Sequence, residues 1–105
     1  MEEQRSGKII VHIDRDLADL IPGYLANREM DIAAIHEAVE KKDLDTIYIL
    51  GHSMKGSGGG YGFQTITEIG MLLEKAAQEG RYDDIRVQIE RLEDYLRRIR
   101  IVYDR

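Results

Sequence analysis

One histidine in this chain has neighbours that could support chemistry. Lys55 follows His52 by three positions, and Gly56 comes directly after the lysine. An unperturbed imidazole is largely neutral near neutral pH, so one ring nitrogen can attack phosphorus while the other keeps its proton on an acceptor. A lysine ammonium beside the ring would attract the incoming phosphoryl group. These residue types favour a site that accepts and donates a group, with catalysis supplied by a partner protein.

The glycines around this run do not form a nucleotide-binding loop. The stretch 56–62 is not followed by Gly-Lys-Ser/Thr, and it lacks both the G-x-G-x-x-G spacing and a preceding strand. Gly51 and Gly56 flank His52, and each glycine inside a helix costs about 1 kcal/mol relative to alanine. Two interpretations stay open: Gly56 and Gly59 clear the surface for a partner's close approach, or the stretch is a flexible loop after a shorter helix.

The composition limits what else the chain can do. A length of 105 residues predicts one domain, and a formal net charge of −5 argues against general nucleic-acid binding. Cysteine is absent from the sequence, and no histidine pair has the helical spacing of a metal site, so His12 and His36 are interpreted as bystanders. Without a membrane-length apolar run or a signal-peptide core, we expect a soluble cytoplasmic protein that needs no metal or cofactor.

The apolar residues recur mainly every three or four positions, which predicts a helical protein. A first helix is expected to begin at Asp14 or Asp16 and to kink at Pro22-Gly23, because proline inside a helix removes a backbone donor. A second helix is expected to end near Lys41-Lys42, where cations suit the negative end of the helix dipole. The segment 9–13 could be an extended arm or the lead-in to the first helix.

The third predicted helix determines where His52 points. Asp43 or Asp45 can cap its beginning, and on a helical wheel its apolar stripe lies opposite the histidine. That stripe consists of Ile47, Leu50 and Met54. The side around His52 carries Lys55 together with the residues expected to dock a partner, which are Tyr48, Gly56 and Gly59. The pattern therefore predicts an exposed histidine and argues against a core histidine.

Two more helices complete the prediction. The run 65–68, Thr-Ile-Thr-Glu, is typical of a capping box that opens the fourth helix, and Gly80 is placed to end it. The last helix is expected to carry one apolar seam for about five turns, from Ile85 to Tyr103. Short connections favour antiparallel neighbours, so the predicted fold is an up-and-down helical bundle.

The motif H-x-x-K-G-x-x-x-x-x-G that begins at His52 resembles the signature of histidine-containing phosphotransfer domains. The likeness extends from about Asp14 to Tyr103 and includes the pairs Gly62-Phe63 and Leu73-Glu74. It implies an all-α fold, an antiparallel up-and-down four-helix bundle with an additional N-terminal accessory helix. The bundle would occupy about 14–103 of a single domain, after an N-terminal arm of undecided conformation, 1–13.

The resemblance also implies roles for individual residues. His52 would be the phosphoacceptor, modified at Nε2, with Lys55 as the neighbouring cation and Gly56 as the small residue that permits close docking. Glu74 stands where many members have Glu or Gln; we hypothesise that its carboxylate accepts the Nδ1 proton, the alternative being an ordinary solvated residue. The sequence departs from the family pattern in the run Gly58-Gly59-Gly60, and in Gly51, where alanine is usual.

The function that the resemblance implies is that of a phosphocarrier in a two-component phosphorelay. His52 would accept a phosphoryl group from a receiver aspartate or a sensor histidine kinase and pass it to a response-regulator receiver domain, with no autonomous catalytic activity. We expect a monomer. The alternative is a binding module of the same fold that docks receivers without exchange, against which the presence of both His52 and Lys55 argues. A phosphatase is disfavoured because no arginine cluster is available to grip phosphate.

Overall fold

The computed structural model describes residues 7–104, which form four α-helices and two short strands. Two 3-10 turns, one before the first helix and one after the second, complete the order. The elements are β1 (Ile9–Asp14), a 3-10 turn (Arg15–Leu17), α1 (Ile21–Lys41), α2 (Leu44–Ser57), a 3-10 turn (Gly59–Tyr61), α3 (Gln64–Glu79), α4 (Tyr82–Arg98) and β2 (Ile99–Asp104). The chain is mainly helical, as predicted, and none of the helices within residues 7–104 is long and apolar enough to cross a membrane.

The first two predicted helices are a single helix, α1. Pro22 lies in its first turn, where the missing N–H breaks no intrahelical hydrogen bond, so the predicted kink is wrong. The predicted start at Asp14 or Asp16 is also wrong, because Asp14 caps the short 3-10 turn by accepting from the Asp16 amide at 2.9 Å. The described residues therefore include no separate accessory helix. The predicted end is confirmed: Lys42 closes α1 with a left-handed φ of 56°.

The two ends of the described chain pair as a two-stranded parallel sheet. β1 aligns with β2 from the pair Ile9 and Ile99 to the pair Asp14 and Asp104. The segment 9–13, which the sequence predicts to be either an extended arm or the lead-in to the first helix, is therefore a strand. The last helix ends at Arg98, and its predicted continuation to Tyr103 is wrong. The residues of β2 alternate between inward and exposed positions, which is the two-residue period of a strand. Over so short a length, the same apolar residues also fit a helical seam.

Local signals at the helix ends are confirmed in part. Of the two candidates for the start of α2, Asp43 is the cap, since its carboxylate accepts from the Thr46 amide at 3.1 Å. Gly80 ends α3 with a φ of 67°, as predicted. The predicted capping box is wrong, because α3 begins at Gln64 and its cap residue, Phe63, makes no side-chain cap.

The core joins all four helices to the sheet. Its largest fully buried side chain is Phe63, which lies between the second 3-10 turn and α3. Burying a side chain of this size contributes about 1.5–3 kcal/mol relative to leaving it exposed. The most extensive helix contact joins α2 to α3. Residues on these two helices are consequently held in a fixed relation to each other.

Candidate functional site

His52 lies on the outer face of α2. Its side chain is 62% exposed, whereas Ile47 and Met54 on the opposite side of the helix are fully buried and Leu50 is half-buried. The predicted orientation is therefore the observed one. Asp43 begins the helix and the apolar stripe fixes its rotation, so the local sequence turns the imidazole towards solvent.

Glu74 of α3 bridges the two candidate residues of α2. Its Oε2 lies 2.6 Å from His52 Nδ1, and its Oε1 accepts a hydrogen bond of 2.6 Å from Lys55 Nζ. Only 11% of the Glu74 side chain is exposed, and 38% of the Lys55 side chain is exposed. One buried carboxylate thus contacts the imidazole and the ammonium at once.

The charge of Glu74 determines which ring nitrogen of His52 is free. Hydrogen bonds from Lys55, and then from His52, hold the pKa of the Glu74 carboxyl below its usual value, against the opposing effect of burial. An ionised carboxylate can only accept, so Nδ1 carries the proton and donates it. In this tautomer Nε2 keeps its lone pair, which makes it the nucleophilic atom of the ring.

Two glycines allow α2 and α3 to approach closely beneath this contact. A Cβ at Gly51 would lie 2.8 Å from the Glu74 backbone nitrogen, and a Cβ at Gly70 would lie 2.6 Å from the Gly51 carbonyl oxygen. Neither distance is compatible with a side chain unless the helices move apart. The departure from alanine at Gly51 therefore has a packing reason. Sequence reasoning missed Gly70, whose requirement arises only from the neighbouring helix.

Comparison with known proteins identifies the family. A family model described as Hpt domain matches residues 19–101, which contain all four helices and the three bridged residues. The chain belongs to the Hpt domain family. Hpt domains are phosphocarriers that take part in histidine phosphotransfer within phosphorelays, where they interact with receiver domains and kinases. Comparisons with curated proteins and with solved structures gave no match.

The glycine-rich end of α2 in this Hpt domain is neither a longer helix nor a structureless loop. The helix stops at Ser57, and an ordered 3-10 turn follows. Gly56 and Gly60 face open space, since a Cβ there would meet no described heavy atom within 4 Å apart from the adjoining residues and the helix's own backbone. A Cβ at Gly59 would lie 3.3 Å from Gln64 Oε1. The surface at Gly56 is therefore open, next to the histidine.

Apolar side chains lie near His52 on α2 and near Glu74 on α3. The Tyr48 ring lies nearly parallel to the imidazole, with centroids 6.1 Å apart and planes 12° from parallel. Ile49, which precedes His52 by three residues, is 63% exposed, and Met71, three residues before Glu74, is 49% exposed. Residues three apart are neighbours on a helix surface. Sequence reasoning missed Ile49 and Met71, although Ile49 is an apolar residue outside the predicted apolar stripe of this helix, and that was an available signal.

The other two histidines of this Hpt domain also lie beside carboxylates. His12 Nδ1 is 3.2 Å from Asp104, and His36 Nε2 is 3.2 Å from Glu93. Both carboxylates are on the surface, with side chains 56% and 42% exposed. A carboxylate contact alone therefore does not distinguish His52 from the other two histidines. The difference is that the partner of His52, Glu74, is buried and also binds Lys55.

Proposed function

We propose that this Hpt domain is a phosphocarrier that accepts a phosphoryl group on Nε2 of His52 and passes it to the aspartate of a response-regulator receiver domain. The donor is a receiver aspartyl phosphate or a sensor histidine kinase. The observation that carries the proposal is the short contact between His52 Nδ1 and the buried Glu74 carboxylate, which leaves Nε2 unprotonated on an exposed face. Transfer needs no base beyond the imidazole.

The transfer step balances without an additional reactant. The Nε2 lone pair of His52 forms a bond to phosphorus as the donor's bond to phosphorus breaks. With a receiver as donor, the broken bond is to an aspartate oxygen, which leaves as a carboxylate. With a sensor histidine kinase as donor, it is to a histidine nitrogen, and the imidazole leaves with the electron pair. The His52 ring becomes positively charged, with its Nδ1 proton still donated to Glu74. That negative carboxylate stabilises the charged ring electrostatically. Transfer to the next receiver reverses the same bond changes, so one site can accept and donate.

Lys55 is proposed to act as the positive partner of the phosphoryl group. In the described state its Nζ is bound to Glu74 Oε1, next to the imidazole. A cation there attracts the negative oxygens of the phosphoryl group during approach and after transfer. Lys55 also orients Glu74. Loss of Lys55 is therefore expected to affect both the phosphoryl group and the Glu74 carboxylate that bind to His52.

The docking face is proposed to consist of Tyr48, Gly56 and Gly59, extended by the exposed side chains of Ile49 and Met71. Open space at Gly56 would let a receiver approach the imidazole, and the apolar side chains would be buried on contact. Apolar burial at the centre of an interface is its usual source of affinity.

The arrangement of the helices and the cellular setting of this domain are also proposed. We propose a single domain over about 14–103, with helices α1 to α4 arranged up and down as an antiparallel bundle. The domain would act as a cytoplasmic monomer without its own catalytic activity, and it would bind neither nucleic acid nor membrane. A net charge of −5 supports the exclusion of nucleic acid.

The test is transfer from a receiver domain phosphorylated with labelled phosphate. We expect an acid-labile, base-stable phosphate label on the wild-type protein and no label on His52→Gln. His12→Gln and His36→Gln are matched controls, because both also lose an imidazole next to a carboxylate, and both should keep the label. Binding of the receiver without label would support the non-exchanging binding module and would contradict the phosphocarrier.

A further inference from the structure

The carboxyl end of α2 is held by a side chain of α3. Gly58, the residue that ends the helix, keeps a right-handed φ of −55°, so the left-handed glycine cap found at many helix ends is absent there. The Thr67 hydroxyl forms hydrogen bonds with two backbone groups at this position. It accepts from the Gly59 amide at 2.7 Å and donates to the Lys55 carbonyl oxygen at 3.2 Å.

Close packing at Gly58 makes this bridge possible. A Cβ at Gly58 would lie 2.6 Å from the Thr67 backbone nitrogen and 2.7 Å from its hydroxyl oxygen. The residue is buried, and only glycine allows α3 to come this near to the end of α2. Part of the glycine run therefore serves the contact with Thr67.

Thr67 and Glu74 hold the same residue of α2. They are seven positions apart on α3, about two turns, which places them on one face of the helix. Thr67 binds the backbone carbonyl of Lys55, and Glu74 binds its ammonium. Lys55 is thus bound to α3 through both its backbone and its side chain.

We propose that Thr67 is a positioning residue for phosphotransfer, which holds the last turn of α2 so that Lys55 stays bound to Glu74 beside His52. This role rests on the proposed phosphocarrier function. Thr67 acts through the Lys55 backbone and takes no part in the bond changes. Without its hydroxyl, the Lys55 carbonyl and the Gly59 amide lose their partner in a segment with three consecutive glycines.

The chain offers a matched control on the opposite side of the same helix end. The Tyr24 hydroxyl lies 2.9 Å from the Ser57 hydroxyl, which is two residues after Lys55 and therefore about 160° away around the helix. Tyr24→Phe removes one hydrogen bond to the last turn of α2, just as Thr67→Val removes the Thr67 bridge. Only the second change frees the Lys55 carbonyl.

The experiment compares wild type, Thr67→Val, Thr67→Ser and Tyr24→Phe. The rate of transfer from a labelled phosphorylated receiver should fall about threefold to tenfold in Thr67→Val, which loses both backbone contacts of the hydroxyl. Thr67→Ser keeps the hydroxyl and should restore the rate, while Tyr24→Phe should stay near wild type. By carbon-13 NMR, the titration of the Glu74 carboxyl should move to higher pH in Thr67→Val alone, and exchange of the Gly59 amide should be faster there.

The possible outcomes distinguish a failure of the phosphocarrier function from a failure of the positioning role of Thr67 alone. A wild-type protein that takes no label would overturn the phosphocarrier function, and this role of Thr67 with it. Transfer in wild type with an equal rate in Thr67→Val would overturn the positioning role alone. So would an equal loss in Tyr24→Phe, because the effect would then follow from a loosened helix end in general. Failure of Thr67→Ser to restore the rate would also contradict the role of the hydroxyl.

Discussion

Glu74 Oε2 lies 2.6 Å from His52 Nδ1, although the two residues are 22 positions apart in the chain. The carboxylate is almost enclosed, with 11% of its side chain exposed, whereas 62% of the imidazole side chain is exposed. Glu74 is therefore fixed by the contact between α2 and α3, and His52 remains open to a docking protein. This arrangement, a fixed acceptor behind an exposed imidazole, is the one on which the proposed phosphocarrier function rests.

Replacing Glu74 tests its part in transfer. Glu74→Gln keeps the shape of the side chain but removes the negative charge that stabilises the Nδ1 proton. We expect transfer to slow about 10-fold to 100-fold, the kinetic equivalent of one hydrogen bond to a charged group. Glu68→Gln is the matched control, since Glu68 is an exposed residue of the same helix that pairs with Arg91. Equal rates in wild type and Glu74→Gln, with circular dichroism unchanged, would remove Glu74 from the mechanism.

Replacing Lys55 tests what lowers the pKa of Glu74. The Lys55 hydrogen bond is the largest cause of that lowering, ahead of His52. We therefore expect Lys55→Met to raise the pKa of the Glu74 carboxyl more than His52→Gln does, as followed by carbon-13 NMR of the side-chain carboxyl. A larger rise in His52→Gln would show that the imidazole, and not the ammonium, governs the charge of Glu74.

The lowered pKa of Glu74 predicts how stability changes with pH. Its usual value is 4.5, and the folded value lies below that. The stabilisation is therefore complete above about pH 4.5 and is lost as the pH falls through the folded pKa. Urea unfolding of wild type and Glu74→Gln should show a stability advantage for wild type that is constant near neutral pH and shrinks in acid. An advantage that grows in acid would contradict the direction of the shift.

The glycines of α2 and α3 are expected to divide into two groups. Gly51→Ala and Gly70→Ala place a Cβ against the opposing backbone, and we expect each to destabilise the protein by about 1–3 kcal/mol. Gly56→Ala meets open space within α2 and should stabilise it by about 0.5–1 kcal/mol. Urea denaturation measures all three. A stabilising Gly70→Ala would show that the helices do not approach as closely as described.

The exposed histidine was predictable because the evidence for it is local. A cap at Asp43 fixes the start of α2, a stripe that includes Ile47 and Met54 fixes its rotation, and both signals lie within nine residues of His52. The contact with Glu74 was a hypothesis from family resemblance, since no local pattern reveals which residue of another helix lies opposite. The need for glycine at position 70 arises from that same contact, and it could not be inferred from sequence.

The errors in the predicted fold have equally specific causes. Residues Ile99 and Tyr103 continue a helical seam from α4, but Ile101 between them also fits the alternation of a strand. Pairing with β1, at the other end of the described chain, selects the strand, and no short-range signal reports that pairing. The apolar spacing before Pro22 is typical of a helix and therefore favours a kink at the proline, whereas proline is equally compatible with the first turn of a helix.

The most direct test of His52 as the phosphoacceptor is to locate the phosphoryl group on the phosphorylated protein by nitrogen-15 and phosphorus-31 NMR. Because Nδ1 of His52 donates its proton to Glu74, we expect coupling between phosphorus and Nε2 of His52, with Nδ1 still protonated. Phosphorus bound to Nδ1, or to a residue other than His52, would contradict it.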